Sequence, residues 1–176
     1  MRFVSFDVGV RNLGVVAGHC EELLLVVELA EVWDLGTLNV LPERLLGLLR
    51  DRVLPLAPAV AYIEAQPPIG RTHVVRKNSY VEGALAASCV ALGMHWEPVH
   101  PAAVKRFFGC GAGRHGANKA RAVATVRSFC PNLPYAFDSS HICDAVLNAM
   151  FKLARAQAAL SLVFDTGRAQ REEKDV

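Results

Sequence analysis

Two short apolar runs in this chain each finish on a carboxylate, and no other feature restricts its fold as strongly. Phe3-Val4-Ser5-Phe6-Asp7 is one, and Val60-Ala61-Tyr62-Ile63-Glu64 is the other. Runs of this length and composition read as buried strands. A charge on a buried strand is costly unless something compensates it. A fold that sets the two strand ends side by side lets Asp7 and Glu64 share a divalent cation.

The rest of the chain supplies the partners of such a sheet. Residues 2–8 and 13–18 read as strands joined by Gly9-Val10-Arg11-Asn12, which has turn chemistry, and residues 22–33 as a longer third strand. A helix is expected over 42–54, with a leucine stripe and Pro55 as its stop. The strand at 59–64 is followed by a loop at 65–70, where Pro67-Pro68 and Gly70 break regular structure. A helix over 75–92, a strand over 94–99 with Pro98 marking an end or an edge, and a short helix over 101–108 follow. The glycine-rich stretch 109–116 reads as a loop, 118–129 as a helix, and 139–164 as the last helix. Three close strands favour an antiparallel meander, and strands separated by helices favour parallel pairing. The expected architecture is therefore α/β, a mixed five-stranded sheet flanked by helices, in one domain spanning 1–165 with a polar, fraying tail at 166–176.

A third acid, Asp144, lies among Ile142, Ala145, Val146 and Leu147, so its helix face is part-buried. His141 precedes it by three residues and shares that face. A helix crossing the strand ends would bring His141 and Asp144 to Asp7 and Glu64. Hard cations such as Mg²⁺ take oxygen ligands, and two of them can activate water and stabilise a leaving oxygen in phosphodiester hydrolysis. Cationic side chains then balance charge developing on phosphorus, and Lys105 and Lys119 flank the glycine-rich loop. Each residue also has an ordinary reading. Asp7 fits a turn, Glu64 a solvated strand end, His141 a core histidine, Asp144 a helix acid favoured by the macrodipole, and Asp138 an N-cap.

The net charge of +2 hides an asymmetry. Between Arg71 and Arg127 there are nine Lys/Arg against two acids, and the remainder has ten against fifteen. The basic segment suits a polyanion as well as it suits a solvated surface. No apolar run approaches the roughly 20 residues of a membrane span, and the first residues lack the pattern of a signal peptide. The five cysteines are widely spaced with no C-x-x-C, which disfavours a disulfide framework or a zinc finger. A soluble intracellular protein in a reducing compartment is expected.

Taken in order, these segments resemble the RuvC-like Holliday junction resolvases of the ribonuclease-H-like superfamily. Residues 3–16, with Asp7-Val8-Gly9 and the exit through Gly14, resemble the family's first hairpin, and the Gly-x-x-Asn form is similar to the poxvirus and mitochondrial branches. Tyr62-Ile63-Glu64-Ala65-Gln66 resembles the second acidic strand. Val104-Lys105, the glycine-rich loop and Asn118-Lys119-Ala120 resemble its two-lysine helix–loop–helix. His141-Ile142-Cys143-Asp144-Ala145 resembles the closing Asp-x-x-Asp-Ala, with His in place of the more usual Asp.

The resemblance implies a homodimer that binds four-way DNA junctions and makes paired nicks with Mg²⁺, or Mn²⁺, as two ions per site in the family's manner; Asp7, Glu64, His141 and Asp144 would hold them and Lys105 or Lys119 would meet the scissile phosphate. For a poxvirus-type member, the setting would be resolution of replication concatemers in the host cytoplasm. Where some relatives carry a junction-opening aromatic this chain has Pro67-Pro68-Ile69, which leaves Ile69 or Tyr80 as candidates. The other readings are a same-fold nuclease for flaps, R-loops or RNA–DNA hybrids, and a non-catalytic junction-binding module. An actin-like half-domain would need a second phosphate-binding turn and a second domain, which the sequence does not offer.

Overall fold

The computed structural model describes residues 1–21, 24–66, 73–110, 115–129 and 139–172; for residues 24, 115, 116 and 157–172 it describes backbone alone. Strands β1 (Arg2–Asp7), β2 (Asn12–Glu21) and β3 (Leu24–Asp34) form the antiparallel meander. Strand β4 (Val60–Glu64) pairs parallel with β1, and β5 (His95–Val99) pairs parallel with β4, giving the order β3-β2-β1-β4-β5. The mixed five-stranded sheet expected from the sequence is thus the observed one. Pro98 lies in β5, an edge strand, where a missing N–H is tolerated.

The alternation of β1 divides the core in two. Val4 and Phe6 pack with Leu41, Leu45, Leu49 and Val53, and with Val81, Leu85 and Cys89 of α2 (His73–Ala91). Phe3, with Val16 and Tyr62, packs on the other face. There it meets α5 (Ser140–Glu172) through Ile142, Ala145, Val146 and Ala149, α4 (His115–Phe129) through Ala122 and Val126, and α3 (Pro101–Phe107) through Val104.

Three helix boundaries differ from those read in the sequence. The first helix, expected over 42–54, is α1 (Leu41–Leu48) followed by a widened π turn at Leu49–Val53 and a 3-10 turn at Leu54–Leu56. Its buried residues recur every fourth position, at Leu41, Leu45, Leu49 and Val53. A spacing of four drifts around an α-helix of 3.6 residues per turn, and widening the turn returns Val53 to the sheet. Helix α4 starts at His115, inside the stretch expected to be loop, because a glycine in the first turn forfeits no intrahelical N–H bond. Helix α5 runs to Glu172 rather than stopping near Phe164, through Arg168-Ala169-Gln170-Arg171-Glu172, all good helix formers except at their flanks. The tail read as 166–176 is therefore helical for most of its length. Helix α2 ends at Ala91, and Gly93 just beyond it, with a φ of 72°, closes the helix in the left-handed region. The loop at 67–70, Arg71, Arg114, Cys130 and Asp138 lie outside the described residues. No helix among the described residues is long and apolar enough to cross a membrane.

Candidate active site

Strands β1 and β4 run parallel and in register, Phe6 beside Ile63, so Asp7 and Glu64 emerge at the same end of the sheet. The β1–β2 hairpin turns there, and α5 begins over it. Gly14 on β2 lets the helix approach. A Cβ at position 14 would lie 2.3 Å from the His141 carbonyl oxygen and 3.0 Å from the His141 Cβ. The first turn of α5 is thereby seated on the hairpin, and His141 Nδ1 reaches Asp7 Oδ2 at 2.6 Å. Asp144 lies one turn further along the same face of the helix.

All six residues singled out in the sequence line one cavity of about 550 Å³: Asp7, Glu64, Lys105, Lys119, His141 and Asp144. The lysines are exposed at its rim, whereas Asp7 is 8% exposed. Further polar residues on its wall, His73, Lys77, Asn78, Ser140 and Asn148, had not been singled out. Asn148 follows Asp144 by four residues and so shares its face, a spacing that was available to find it. It is buried, and its Nδ2 donates to the Phe6 carbonyl at 3.4 Å, tying α5 to the residue before Asp7. Lys77 and Asn78 carry no such signal, because only tertiary packing brings α2 to the strand ends.

The acids are held close enough to oppose one another's ionisation. Burial pushes the Glu64 carboxyl up to about 10, reinforced by its hydrogen bond with Asp7 and by the charges of Asp7 and Asp144, with Lys105 working against the rise. Asp144 rises to about 6, first through burial and then through the charge of Asp7, while Lys105, His141 and Lys119 pull it down. His141 moves upward because Asp7 accepts its hydrogen bond, against the opposing effect of burial. Such a set favours a partner that is positively charged and binds oxygen. Three carboxylates and an imidazole on one cavity fit a hard divalent cation by donor chemistry. Among the described residues, no three of these groups are already gathered at metal-holding distance. The Asp7–His141 hydrogen bond occupies donors that a cation would use.

No protein-family model and no curated protein sequence matches the chain. Solved structures do. The fold is that of the RuvC-type Holliday junction resolvases, a ribonuclease-H-like mixed sheet. The Thermus thermophilus RuvC structure superimposes with a TM-score of 0.70 at 17% identity, over 90% of this chain and 97% of that one. The Fowlpox virus resolvase in complex with substrate Holliday junction DNA gives 0.61 at 14% identity, over 91% and 99%. The yeast mitochondrial Holliday junction resolvase Ydc2 gives 0.56 at 13% identity, over 90% and 83%.

Proposed function

We propose that this protein is a structure-selective endodeoxyribonuclease that resolves four-way DNA junctions by paired, divalent-metal-dependent hydrolysis. The observation that carries the reading is the convergence of Asp7, Glu64, His141 and Asp144 on one cavity rimmed by Lys105 and Lys119. It is joined to a fold shared with resolvases, some of them solved on junction DNA.

In this reading Asp7, Glu64, Asp144 and His141 hold Mg²⁺, or Mn²⁺ in its place, as two ions. Bound there, the metal would supply an activated water and stabilise the leaving oxygen. The protein's own groups do the rest. Lys105 and Lys119 place the phosphate over the acids and balance its added negative charge. Asn148 keeps α5 in register with β1, so that His141 and Asp144 stay opposite Asp7. His141 must give up its proton to ligate, and its hydrogen bond to Asp7 resists that loss, so metal loading improves as pH rises. Two copies acting together, as a homodimer, would make the paired nicks. The Gly-x-x-Asn hairpin, similar to the poxvirus and mitochondrial branches, is what supports a poxvirus-like assignment, with a role in recombination and concatemer resolution inside the host cell.

The test compares a labelled four-way junction with flap, linear duplex and RNA–DNA hybrid substrates in Mg²⁺, using wild type and Asp7→Asn. Symmetric nicking of the junction alone, lost in Asp7→Asn, is the expected result. Tight binding without cutting would make the protein a binding module. Faster cutting of flaps or hybrids would keep the metal site and change the substrate.

A further inference from the structure

The acidic cavity takes lysines from both faces of the sheet. Lys105 and Lys119 reach it from α3 and α4, which pack on the same face as α5. Lys77 reaches it from α2, whose Val81, Leu85 and Cys89 pack on the opposite face. The first two lysines act on the acidic groups directly. Lys105 pulls down Glu64 and Asp144, and Lys119 pulls down Asp144 and His141. Lys77 is half-buried, and among the described residues no carboxylate pairs with it. Its place is fixed by the residue beside it. Asn78 donates its Nδ2 to Gln66 Oε1 at 3.1 Å, and Glu82, one turn on, accepts from the Gln66 backbone N–H at 2.9 Å. Gln66 stands two residues beyond Glu64, so the first turns of α2 are pinned to the strand that carries that acid.

A half-buried ammonium with no counter-charge keeps a desolvation cost that an entering anion offsets. Successive phosphates of one DNA strand follow at roughly 3.4 Å of helix axis. A cavity of about 550 Å³ therefore has room for the scissile phosphate and a neighbour. With the first over the acids beside Lys105 and Lys119, the second falls on the α2 side. We propose that Lys77 takes a phosphate flanking the scissile one, so that a single DNA strand crosses the end of the sheet from the α3–α4 side to the α2 side. The contact deepens the endonuclease reading above and rests on it, since the scissile phosphate decides which neighbour Lys77 meets. Lys77 grips the strand and leaves the chemistry to the acids, so its loss weakens binding more than it slows the chemical step.

The experiment uses the full-length protein and four-way junctions in which one phosphate near the branch point is replaced by an uncharged methylphosphonate, each position in turn. Dissociation constants are measured in Ca²⁺, and single-turnover cleavage rates at saturating protein in Mg²⁺. One replacement beside the scissile phosphate should weaken wild-type binding by about tenfold, the size of a charge-assisted contact. Lys77→Met, which keeps an apolar stem, should weaken binding of the unmodified junction by about as much and should be insensitive to that one replacement. It should also lower the salt slope of binding by about 1, and Lys77→Arg should restore both properties. The saturated cleavage rate of Lys77→Met should stay close to that of wild type. A folding defect would cost the same factor at every phosphate and could not single one out. If Lys77→Met cuts but remains as sensitive as wild type at every flanking phosphate, the contact falls and the endonuclease reading stands. If one phosphate couples to Lys77 in Ca²⁺ while no junction is cut in Mg²⁺, the contact between lysine and phosphate stands and the endonuclease reading falls. Coupling to the scissile phosphate alone, or no binding of junctions, would overturn the proposal.

Discussion

The two faces of the sheet are packed differently. Against α1 and α2 the core is almost wholly aliphatic, and its buried polar side chain among the described residues, Ser88, bonds within its own helix to the Ala84 carbonyl at 2.8 Å. Against α5 the core also buries Ser5, Asp7 and Asn148. The Ser5 hydroxyl has no partner among the described residues, and Asn148 reaches across to a strand carbonyl. Both faces derive from the same strands, so the difference lies in what each must support. One face holds the sheet together, and the other gives up stability to keep ionisable groups close. Perturbing the α1–α2 face should change stability and leave the chemistry alone. Perturbing the α5 face should do the reverse.

The largest expected effect comes from Asp7→Asn. It should lower the junction cleavage rate by on the order of a thousandfold or more, with junction binding retained, as measured by single-turnover kinetics beside a gel-shift assay. Next is Leu85→Ala on the opposite face, which should lower unfolding free energy by about 2–5 kcal/mol in urea titration. The cleavage rate per folded molecule should stay at the wild-type value, and a matching loss of rate would erase the distinction between the faces. Gly14→Ala places a methyl against the His141 backbone and should displace the start of α5. Cleavage should fall by about a hundredfold, the penalty expected for misplacing catalytic groups by an ångström, while circular dichroism remains native.

The smallest effect runs in the opposite direction. Glu64 is raised from 4.5 to about 10, so between those pH values the folded metal-free protein holds a proton that the unfolded chain has lost. Folding stability therefore declines as pH rises through that window. Asp144 adds to the decline between 3.8 and about 6, and the raised His141 contributes stability that is present below 6.5 and lost as pH rises through its folded value. Glu64→Gln should accordingly melt a few degrees higher than wild type at pH 8 in the presence of a chelator, a shift equivalent to about 1 kcal/mol. A lower melting temperature would mean that Glu64 is not strained by its neighbours. Added Mg²⁺ should raise the wild-type melting temperature, more at pH 8 than at pH 6, and do little for the variant.

Much of this arrangement was legible in the chain because it rests on local chemistry. Asp7 and Glu64 stood out as charges at the ends of apolar runs, and parallel pairing of the two strands places such ends together. His141 and Asp144 were linked by helical spacing alone. The same periodicity failed for the first helix, where Leu45, Leu46, Leu48 and Leu49 were read as an ordinary stripe although the buried set is Leu41, Leu45, Leu49 and Val53, whose spacing of four goes with a widened turn. Lys77, Asn78 and Gln66 could not be assembled from local pattern, since an 11-residue separation between Gln66 and Lys77 says nothing of how α2 meets β4. Glycine counting also misplaced the start of α4, because glycine weakens a helix interior far more than its first turn.

The sheet ends differently at its two margins. On β5, Pro98 interrupts the row of backbone donors that an incoming strand from another molecule would need. On β3, the outer margin carries Glu28, Glu31 and Asp34. Glu28 is tethered by Arg2 and His19, and Glu31 by Trp33 and Arg52, so those charges are fixed along the strand. Strand-to-strand stacking into fibrils is therefore blocked at both margins by different means, one by a missing donor and the other by anchored charge. A concentrated solution of the folded protein should resist amyloid-type aggregation, and the first substitution to weaken that resistance would be at Pro98.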